Sequence, residues 1–156
     1  MKDFGGSGID KELYDYVRFT VPAQSVVVEL GSGHVSTPRF SRVYRLYSVE
    51  HDKRFLDTSP GANYIHAPLQ KDGWYDPTVL ARMLPKRYAA LVIDGPVVSS
   101  DRMGFCRHIG LFDPAAVWVF HDTNRPADLA NYEEAARLSG KRHIEFDEYP
   151  FFKVLI

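Results

Sequence analysis

Val26-Val27-Val28-Glu29-Leu30-Gly31-Ser32-Gly33 joins a run of β-branched residues to an acid and two closely spaced glycines. A run of valines that is buried on both faces is typical of a central strand in a parallel sheet. The Gly-Ser-Gly turn that follows lets the backbone approach a ligand with no Cβ in the way. A strand that ends in such a turn is typical of a nucleotide-binding corner.

Strands and helices alternate along the rest of the chain, which indicates an α/β fold with a mostly parallel sheet. Apolar runs bounded by turn residues predict strands at 25–30, 46–49, 63–66, 88–93 and 116–120. Helices are predicted at 38–41, 53–56, 77–84, 102–112 and 128–139. The tail, 143–149 and 151–156, is predicted to form two strands that join at Pro150 and pack as a hairpin.

The first predicted helix precedes the glycine turn. Asp10 is expected to cap it and Pro22 to end it. Its apolar positions follow three- and four-residue spacing: Leu13, Tyr14, Val17 and Phe19. The residues before it, 1–8, are rich in glycine and are expected to be flexible.

Length and composition bound the class of protein. A chain of 156 residues, 45% of them hydrophobic, has the size of one compact domain, which we expect to span residues 1–156, with 1–20 as a flexible N-terminus and leading helix. No apolar run approaches the roughly 20 residues of a membrane span. The N-terminus lacks the apolar core of a signal peptide. The single cysteine, Cys106, suits a reducing compartment, so we expect a soluble, cytoplasmic protein with no membrane partner.

The charge balance bears on partners. Nineteen basic and twenty acidic residues give a net charge of −1, which disfavours a nucleic-acid partner, although a local arginine cluster for tRNA is left open. Exposed aromatic residues in so short a chain would be consistent with a homodimer. The six histidines show no spacing typical of a zinc site.

Three acids share one kind of position, because Glu50, Asp94 and Asp122 each follow directly on an apolar strand. In open α/β sheets, ligands bind outside the carboxyl ends of the strands. Any one of these acids could be a helix cap or a solvated loop residue. Taken together, they are expected to converge on one crevice with the glycine turn.

The spacing of the acids indicates the kind of ligand. Glu50 follows Gly33 by 17 residues, near the distance at which a carboxylate reaches ribose hydroxyls, and it would repel a 2′-phosphate. The third glycine of a dinucleotide motif falls at Ser36. Glu29, just before the turn, would oppose a pyrophosphate and favour a cation. A nucleoside with a positive charge and no phosphates fits this pattern best.

This set of residues resembles the class I S-adenosylmethionine-dependent methyltransferases. Glu29-Leu30-Gly31-Ser32-Gly33 is similar to the family's glycine motif, Glu50 to its ribose-binding acid, and Asp94 to the polar residue that ends the fourth strand. The C-terminal hairpin is similar to the family's antiparallel sixth and seventh strands. The resemblance implies a Rossmann-like methyltransferase fold, a seven-stranded sheet with helices on both faces, and S-adenosylmethionine as cofactor.

The resemblance also implies a role for each cofactor-binding position. Glu29 and the backbone of the glycine turn would hold the methionine portion, and Glu50 the ribose, while His51 and the segment after the third strand would border the adenine. The implied cofactor-binding residues are Glu29, Gly31, Ser32, Gly33, Glu50, His51, Ala67, Pro68, Leu69 and Asp94.

Methyl transfer is an in-line displacement, in which the enzyme aligns the nucleophile and, for a hydroxyl, removes its proton. Asp94, His121 and Asp122 are the predicted catalytic residues. His121 could act as a general base near neutral pH or serve as hydrogen-bonded structure. Asp94 and Asp122 are similar to the carboxylate pair that binds Mg²⁺ in cation-dependent O-methyltransferases, with Thr123 or Asn124 nearby. Two carboxylates are too few to predict a metal.

Other residues near these positions keep two interpretations. Arg102 and Arg125 could pair with the strand-end acids or bind an anionic substrate. Trp74 and Tyr75 could wall the pocket or pack in the core. Cys106 is expected to be a buried small hydrophobe.

The resemblance implies methyl transfer to a small-molecule acceptor, at a hydroxyl in preference to a nitrogen. Family members usually carry an extra element over the substrate, and here the N-terminal segment or a partner would have to supply it. Two alternatives stay open: a non-catalytic S-adenosylmethionine-binding partner subunit, and a dinucleotide-dependent oxidoreductase, which Glu29 and Ser36 argue against.

Overall fold

The structure is a computed structural model, and it describes residues 4, 8–97, 102–146 and 151–156. The predicted flexibility of residues 1–8 concerns mainly positions that lie outside the described residues. The same holds for the predicted junction of the hairpin at Pro150.

In the described part of the chain, seven strands and five α-helices follow one another largely in the order that the sequence predicts. The strands are β1 (Val26–Leu30), β2 (Arg45–Glu50), β3 (Ala62–His66), β4 (Ala90–Ile93), β5 (Val117–His121), β6 (His143–Ile144) and β7 (Phe152–Leu155). The helices are α1 (Lys11–Thr20), α2 (Ser36–Phe40), α3 (Pro77–Met83), α4 (Gly104–Arg107) and α5 (Pro126–Ser139). Two 3₁₀ turns lie at Lys53–Phe55 and Ile109–Leu111.

The strands form one sheet in the order β3-β2-β1-β4-β5-β7-β6. The first five strands are parallel to their neighbours, while β7 pairs antiparallel with β5 and with β6. This arrangement confirms the predicted mostly parallel seven-stranded sheet and its C-terminal antiparallel pair. The strand order reverses direction between β1 and β4, so their carboxyl ends face a crevice.

Helices cover both faces of the sheet. Side chains alternate between the faces along each strand, so Val27 packs with α1 and α2, whereas Val28 packs with the cluster that contains α3, α4 and α5. In β5, Val119 and Trp118 divide in the same way. The central strands are therefore buried on both sides, which is why they appear as continuous apolar runs.

Several predicted helices differ in detail from the structure, and the segment predicted as a helix at 53–56 is the 3₁₀ turn Lys53–Phe55. The segment predicted as one helix over 102–112 is divided, because His108 leaves helical geometry before the 3₁₀ turn that contains Gly110. Glycine is a poor helix residue, which favours this break. In α1, Phe19 was expected on the apolar face but is 88% exposed. It lies two positions after the buried Val17, on the opposite side of the helix.

No helix within the described ranges has the length and apolar character that crossing a bilayer requires.

Candidate functional site

A cleft with a volume of about 260 Å³ opens at the carboxyl ends of β1, β2, β4 and β5. Its lining contains eight predicted site residues: Gly31, Ser32, Gly33, Glu50, His51, Asp94, His121 and Asp122. These residues come from four separate loops, and parallel strands bring them to one edge of the sheet. The predicted convergence on a single crevice is therefore what the structure shows.

The glycine turn packs directly against the loop after β4. Gly31 has φ +96°, and a Cβ there would lie 2.8 Å from the carbonyl oxygen of Asp94. A Cβ at Gly95 would lie 2.7 Å from Gly31 Cα and would overlap the hydroxyl of Tyr75. Because neither position has room for a side chain, the floor of the cleft is bare backbone.

Glu50 joins the loops that follow β1 and β2. Its Oε2 accepts a hydrogen bond from the backbone amide of Ser32 at 3.0 Å, and its Oε1 accepts from the amides of His51 and Asp52 at 2.7 Å each. His51 Nδ1 also lies 2.7 Å from Oε1, so that oxygen is surrounded by three donor atoms. Oε2 accepts the amide of Ser32 alone among the described residues, and its second lone pair has room for one ligand hydroxyl. This geometry is compatible with the predicted ribose contact.

Glu29 lies beneath the glycine turn and does not line the cleft. Its Oε2 accepts from the hydroxyls of Thr37 and Ser48, at 2.7 Å each, and the amide of Gly33 donates to Thr37 Oγ1 at 2.9 Å. The carboxyl group therefore supports the turn from below, whereas the sequence predicted that it would hold the methionine portion itself. Burial raises the pKa of Glu29 to about 7, although hydrogen bonds from neighbouring hydroxyls oppose the shift.

His121 joins two carboxylates from distant parts of the chain. Its Nδ1 lies 2.8 Å from Asp94 Oδ1, and its Nε2 lies 3.2 Å from Asp10 Oδ2. Burial favours the neutral ring, but the hydrogen bond with Asp94 and the charges of Asp94, Asp122 and Asp10 outweigh it and raise the pKa of His121 to about 9. A ring with this pKa is protonated at neutral pH, which favours the interpretation as hydrogen-bonded structure, and the role as a general base stays a prediction.

Asp10 stands at the N-cap position of α1, as predicted, but its side chain makes no capping hydrogen bond. Its carboxylate contacts His121 at the end of β5 instead. Gly8 also lines the cleft, so this described residue before α1 lies beside the site. The expectation that the N-terminal segment or a partner covers the substrate stays a prediction.

Arg102 is a buried cation at the carboxyl ends of β4 and β5. Its Nη1 lies 2.9 Å from Asp128 Oδ1 and 3.3 Å from Asp122 Oδ2, and its Nη2 donates to the carbonyl of Asp94 at 3.1 Å. Arg125 adds a contact of 2.7 Å with Asp122. The structure thus shows the predicted pairing of both arginines with the strand-end acids.

Asp94, His121 and Asp122 place potential metal-ligand atoms within 4.8 Å of one another. The guanidinium of Arg102 already lies 3.3 Å from Asp122 and 3.7 Å from Asp94, and His121 shares Asp94. A divalent cation between the two carboxylates would have to displace these cations. The donor set therefore fits an arginine-neutralised cluster better than a Mg²⁺ site.

The charged side chains around Asp94, His121 and Asp122 carry a net negative charge. Four carboxylates, those of Asp10, Asp94, Asp122 and Asp128, face two arginines and the His121 imidazolium. One negative charge remains. Such a region favours a ligand with one positive charge and opposes a phosphate.

The predicted adenine-bordering segment lies farther back than expected. Ala67, Pro68 and Leu69 are absent from the cleft lining, and Tyr75, which forms a β-bridge with Leu69, takes their place. Trp74 is fully buried in the core, and Cys106 is buried as expected.

Sequence reasoning missed the roles of two residues in the site. Asp10 was considered only as a helix cap, because nothing in the sequence links it to a histidine 111 positions away. Asp128 was placed only at the start of a helix, yet it is the nearest carboxylate to Arg102.

Comparison with known proteins identifies the fold. No family model matches the chain, and no curated protein does. Among solved structures, a TehB-like S-adenosylmethionine-dependent methyltransferase from Corynebacterium glutamicum is 15% identical, with a TM-score of 0.57, over 96% of this chain and 88% of that one. The 1,6-didemethyltoxoflavin N1-methyltransferase of Burkholderia thailandensis is 11% identical, with a TM-score of 0.57, over 93% and 75%.

A third similar structure is described as precorrin 8W decarboxylase from Methanobacterium thermoautotrophicum. It is 12% identical, with a TM-score of 0.61, over 99% of this chain and 94% of that one. At these identities the likeness establishes the architecture. The chain has the Rossmann-like fold of the class I S-adenosylmethionine-dependent methyltransferases.

Proposed function

We propose that this protein is an S-adenosylmethionine-dependent methyltransferase that acts on a small-molecule acceptor. The observation that carries the proposal is a single cleft with Glu50 at one end, a net negative cluster at the other, and bare glycine backbone between them. The ribose can contact Glu50, the sulfonium bonded to its C5′ carbon can face the negative cluster, and the methionine chain that leaves the sulfonium can run along the glycine backbone. The proposal treats residues 1–156 as one domain that binds both substrates.

The cofactor would lie along the floor of the cleft. Glu50 would accept one ribose hydroxyl, and the amides of Gly31, Ser32 and Gly33 would face the methionine portion. His51 would border the adenine. Ala67-Pro68-Leu69 would support this part of the cleft indirectly, because Leu69 forms a β-bridge with Tyr75. Glu29 would hold the glycine turn in shape through Thr37.

The methyl group would move at the end of the cleft formed by Asp94, His121 and Asp122. The bond from the methyl carbon to sulfur breaks as the bond to the acceptor forms, and sulfur keeps the electron pair. For a hydroxyl acceptor, the proton would pass to Asp94, because His121 is already protonated. His121 and Arg102 would hold the Asp94 side chain and backbone in place.

The geometry of the cleft gives less support to the two alternative functions, a dinucleotide-dependent oxidoreductase and a non-catalytic partner subunit. The net negative charge beside the glycine turn disfavours the pyrophosphate of a dinucleotide. The non-catalytic subunit was suggested because no extra element over the substrate was evident. Gly8 lines the cleft and Asp10 contacts His121, so residues before α1 lie where such an element would be.

Calorimetric titration with S-adenosylhomocysteine tests the cofactor. We expect saturable binding by the wild type, and a loss of about 10-fold or more in Glu50→Gln, because the amide carries no charge for the hydroxyl and offers fewer acceptor positions. Glu12→Gln on the exposed side of α1 is the matched control and should bind as the wild type does. A wild-type chain that binds neither S-adenosylhomocysteine nor S-adenosylmethionine would contradict the proposal.

Transfer is tested with labelled S-adenosylmethionine and a panel of small hydroxyl and amine acceptors. We expect turnover by the isolated chain, with a hydroxyl acceptor preferred. Tight cofactor binding with no turnover on any acceptor would instead favour the partner-subunit function.

A further inference from the structure

Tyr75 carries a buried polar group that the fold itself does not use. The residue is fully buried, and its hydroxyl has no hydrogen-bond partner among the described residues, yet it lines the cleft. An unmet buried hydroxyl lowers stability by about 1–3 kcal/mol. Natural structures retain few such groups, and those that remain call for an explanation.

The backbone around Tyr75 holds the side chain firmly. Tyr75 forms a β-bridge with Leu69, and the amide of Asp76 donates to the carbonyl of Pro68 at 2.9 Å. Its ring packs edge-on against Trp74, with centroids 5.1 Å apart. The hydroxyl therefore points to a fixed place, above Gly95 and beside Gly31, where a Cβ on Gly95 would overlap it.

The ring of Tyr75 also faces the loop after β2, so Tyr75 lies between that loop and Gly95. The ring of Tyr75 meets the ring of His51 edge-on, with centroids 6.3 Å apart, and His51 directly follows Glu50. Burial first, and then the charge of Glu50, raise the pKa of Tyr75 well above its usual range. The phenol is therefore neutral and able to donate a hydrogen bond at every working pH.

Glu50 and Tyr75 are complementary in what they offer a sugar. Two amides and His51 Nδ1 surround Glu50 Oε1, whereas Oε2 accepts from Ser32 and has one acceptor position left, which a ribose hydroxyl can fill by donating. The same hydroxyl, or its neighbour on the ribose, can accept a hydrogen bond from Tyr75. The carboxylate and the phenol together would satisfy a diol that neither satisfies alone.

We infer that Tyr75 is a cofactor-binding residue whose hydroxyl donates a hydrogen bond to a ribose oxygen of the adenosyl group. This inference rests on the proposed function and adds to it a contact that no strand-end acid or glycine motif indicates. The described residues leave the hydroxyl without a hydrogen-bond partner, and a bound nucleoside would supply the missing acceptor.

Tyr75→Phe removes only the hydroxyl and separates this role from a structural one. We expect the ligand-free variant to have a Tm equal to or above that of the wild type, because it loses an unsatisfied buried group. We expect its Kd for S-adenosylhomocysteine to rise by about 5-fold or more, as for a lost hydrogen bond. The Kd for 5′-methylthioadenosine, which keeps the ribose and lacks the amino acid, should rise by the same factor.

Tyr88→Phe is the matched control. The hydroxyl of Tyr88 is also buried, but it accepts from the amide of Asp113 at 2.8 Å, away from the cleft. Its removal should lower the Tm and leave both Kd values unchanged.

Three results would overturn the inference while leaving the proposed function standing. They are a Kd that changes less than about 2-fold in Tyr75→Phe, a fall in its ligand-free Tm like that of Tyr88→Phe, and a loss of affinity for S-adenosylhomocysteine alone. A wild-type chain that binds neither ligand would overturn both the inference and the proposed function.

Discussion

Three acids at the ends of strands line the cleft. Glu50, Asp94 and Asp122 could be placed from the sequence, because an acid that directly follows a buried strand must lie at the carboxyl edge of a parallel sheet. The hydrogen-bond partners of the buried acids could not be placed in this way. Glu29 is held by Thr37 and Ser48, and the second of these contacts depends on strand register, which pairs Glu29 with Ser48.

Gly31 offers a prediction at this scale. Gly31→Ala should lower the free energy of unfolding by about 1–3 kcal/mol, because φ is positive and the new Cβ would meet the Asp94 carbonyl. Gly33→Ala is the control, since its nearest neighbour, Ser36 Oγ, would lie 3.4 Å from the new Cβ. Urea denaturation of the ligand-free variants measures both. Equal losses in the two variants would show that the close approach of the loops is unimportant.

At the scale of elements, the strands and most helices follow from apolar periodicity, and the exceptions have local causes. The break at His108 is favoured by the glycine at position 110, and Phe19 is exposed because it lies two positions after the buried Val17, on the opposite side of α1. The link between α1 and β5 was equally hidden. The Asp10 carboxylate contacts His121 instead of capping its own helix. This contact connects the start of α1 to the cluster of Asp94, His121 and Asp122.

This link predicts a pH dependence of stability. The pKa of His121 is raised from 6.5 to about 9, so its contribution is complete below pH 6.5 and is lost as the pH rises through 9. We expect an extra loss on the order of 2–3 kcal/mol in the free energy of unfolding across this range. Glu29, with a pKa of about 7 against 4.5, gives its own decline at lower pH, between 4.5 and 7.

The test compares urea denaturation at pH 7.5 and 9.5. His121→Gln should lose the steep part of the decline, whereas His34→Gln, an exposed histidine of the glycine loop, should keep it. If His121→Gln retains the full wild-type slope, the imidazolium does not join Asp94 and Asp10.

For the whole molecule, alternation of strands and helices predicts an α/β fold with a mostly parallel sheet, and the resemblance implies its seven strands and its C-terminal antiparallel pair. The order of the seven strands and the two apolar layers agree with it. The predicted homodimer stays a prediction: Phe19 is 88% and Phe151 54% exposed, and both are available to a partner. The sequence does not identify the methyl acceptor of the proposed reaction. The part of the cleft around Asp94, His121 and Asp122 is built from ion pairs between segments that are distant in the chain.

The central claim is that one nucleoside with a sulfonium side chain occupies the cleft between Glu50 and Asp94. A crystal structure of the chain grown with S-adenosylhomocysteine tests it most directly. We expect the ribose within hydrogen-bond distance of Glu50 and Tyr75, the amino-acid portion on the glycine turn, and the sulfur beside Asp94. A cleft that stays empty at saturating ligand, or a ribose bound away from Glu50, would contradict the account.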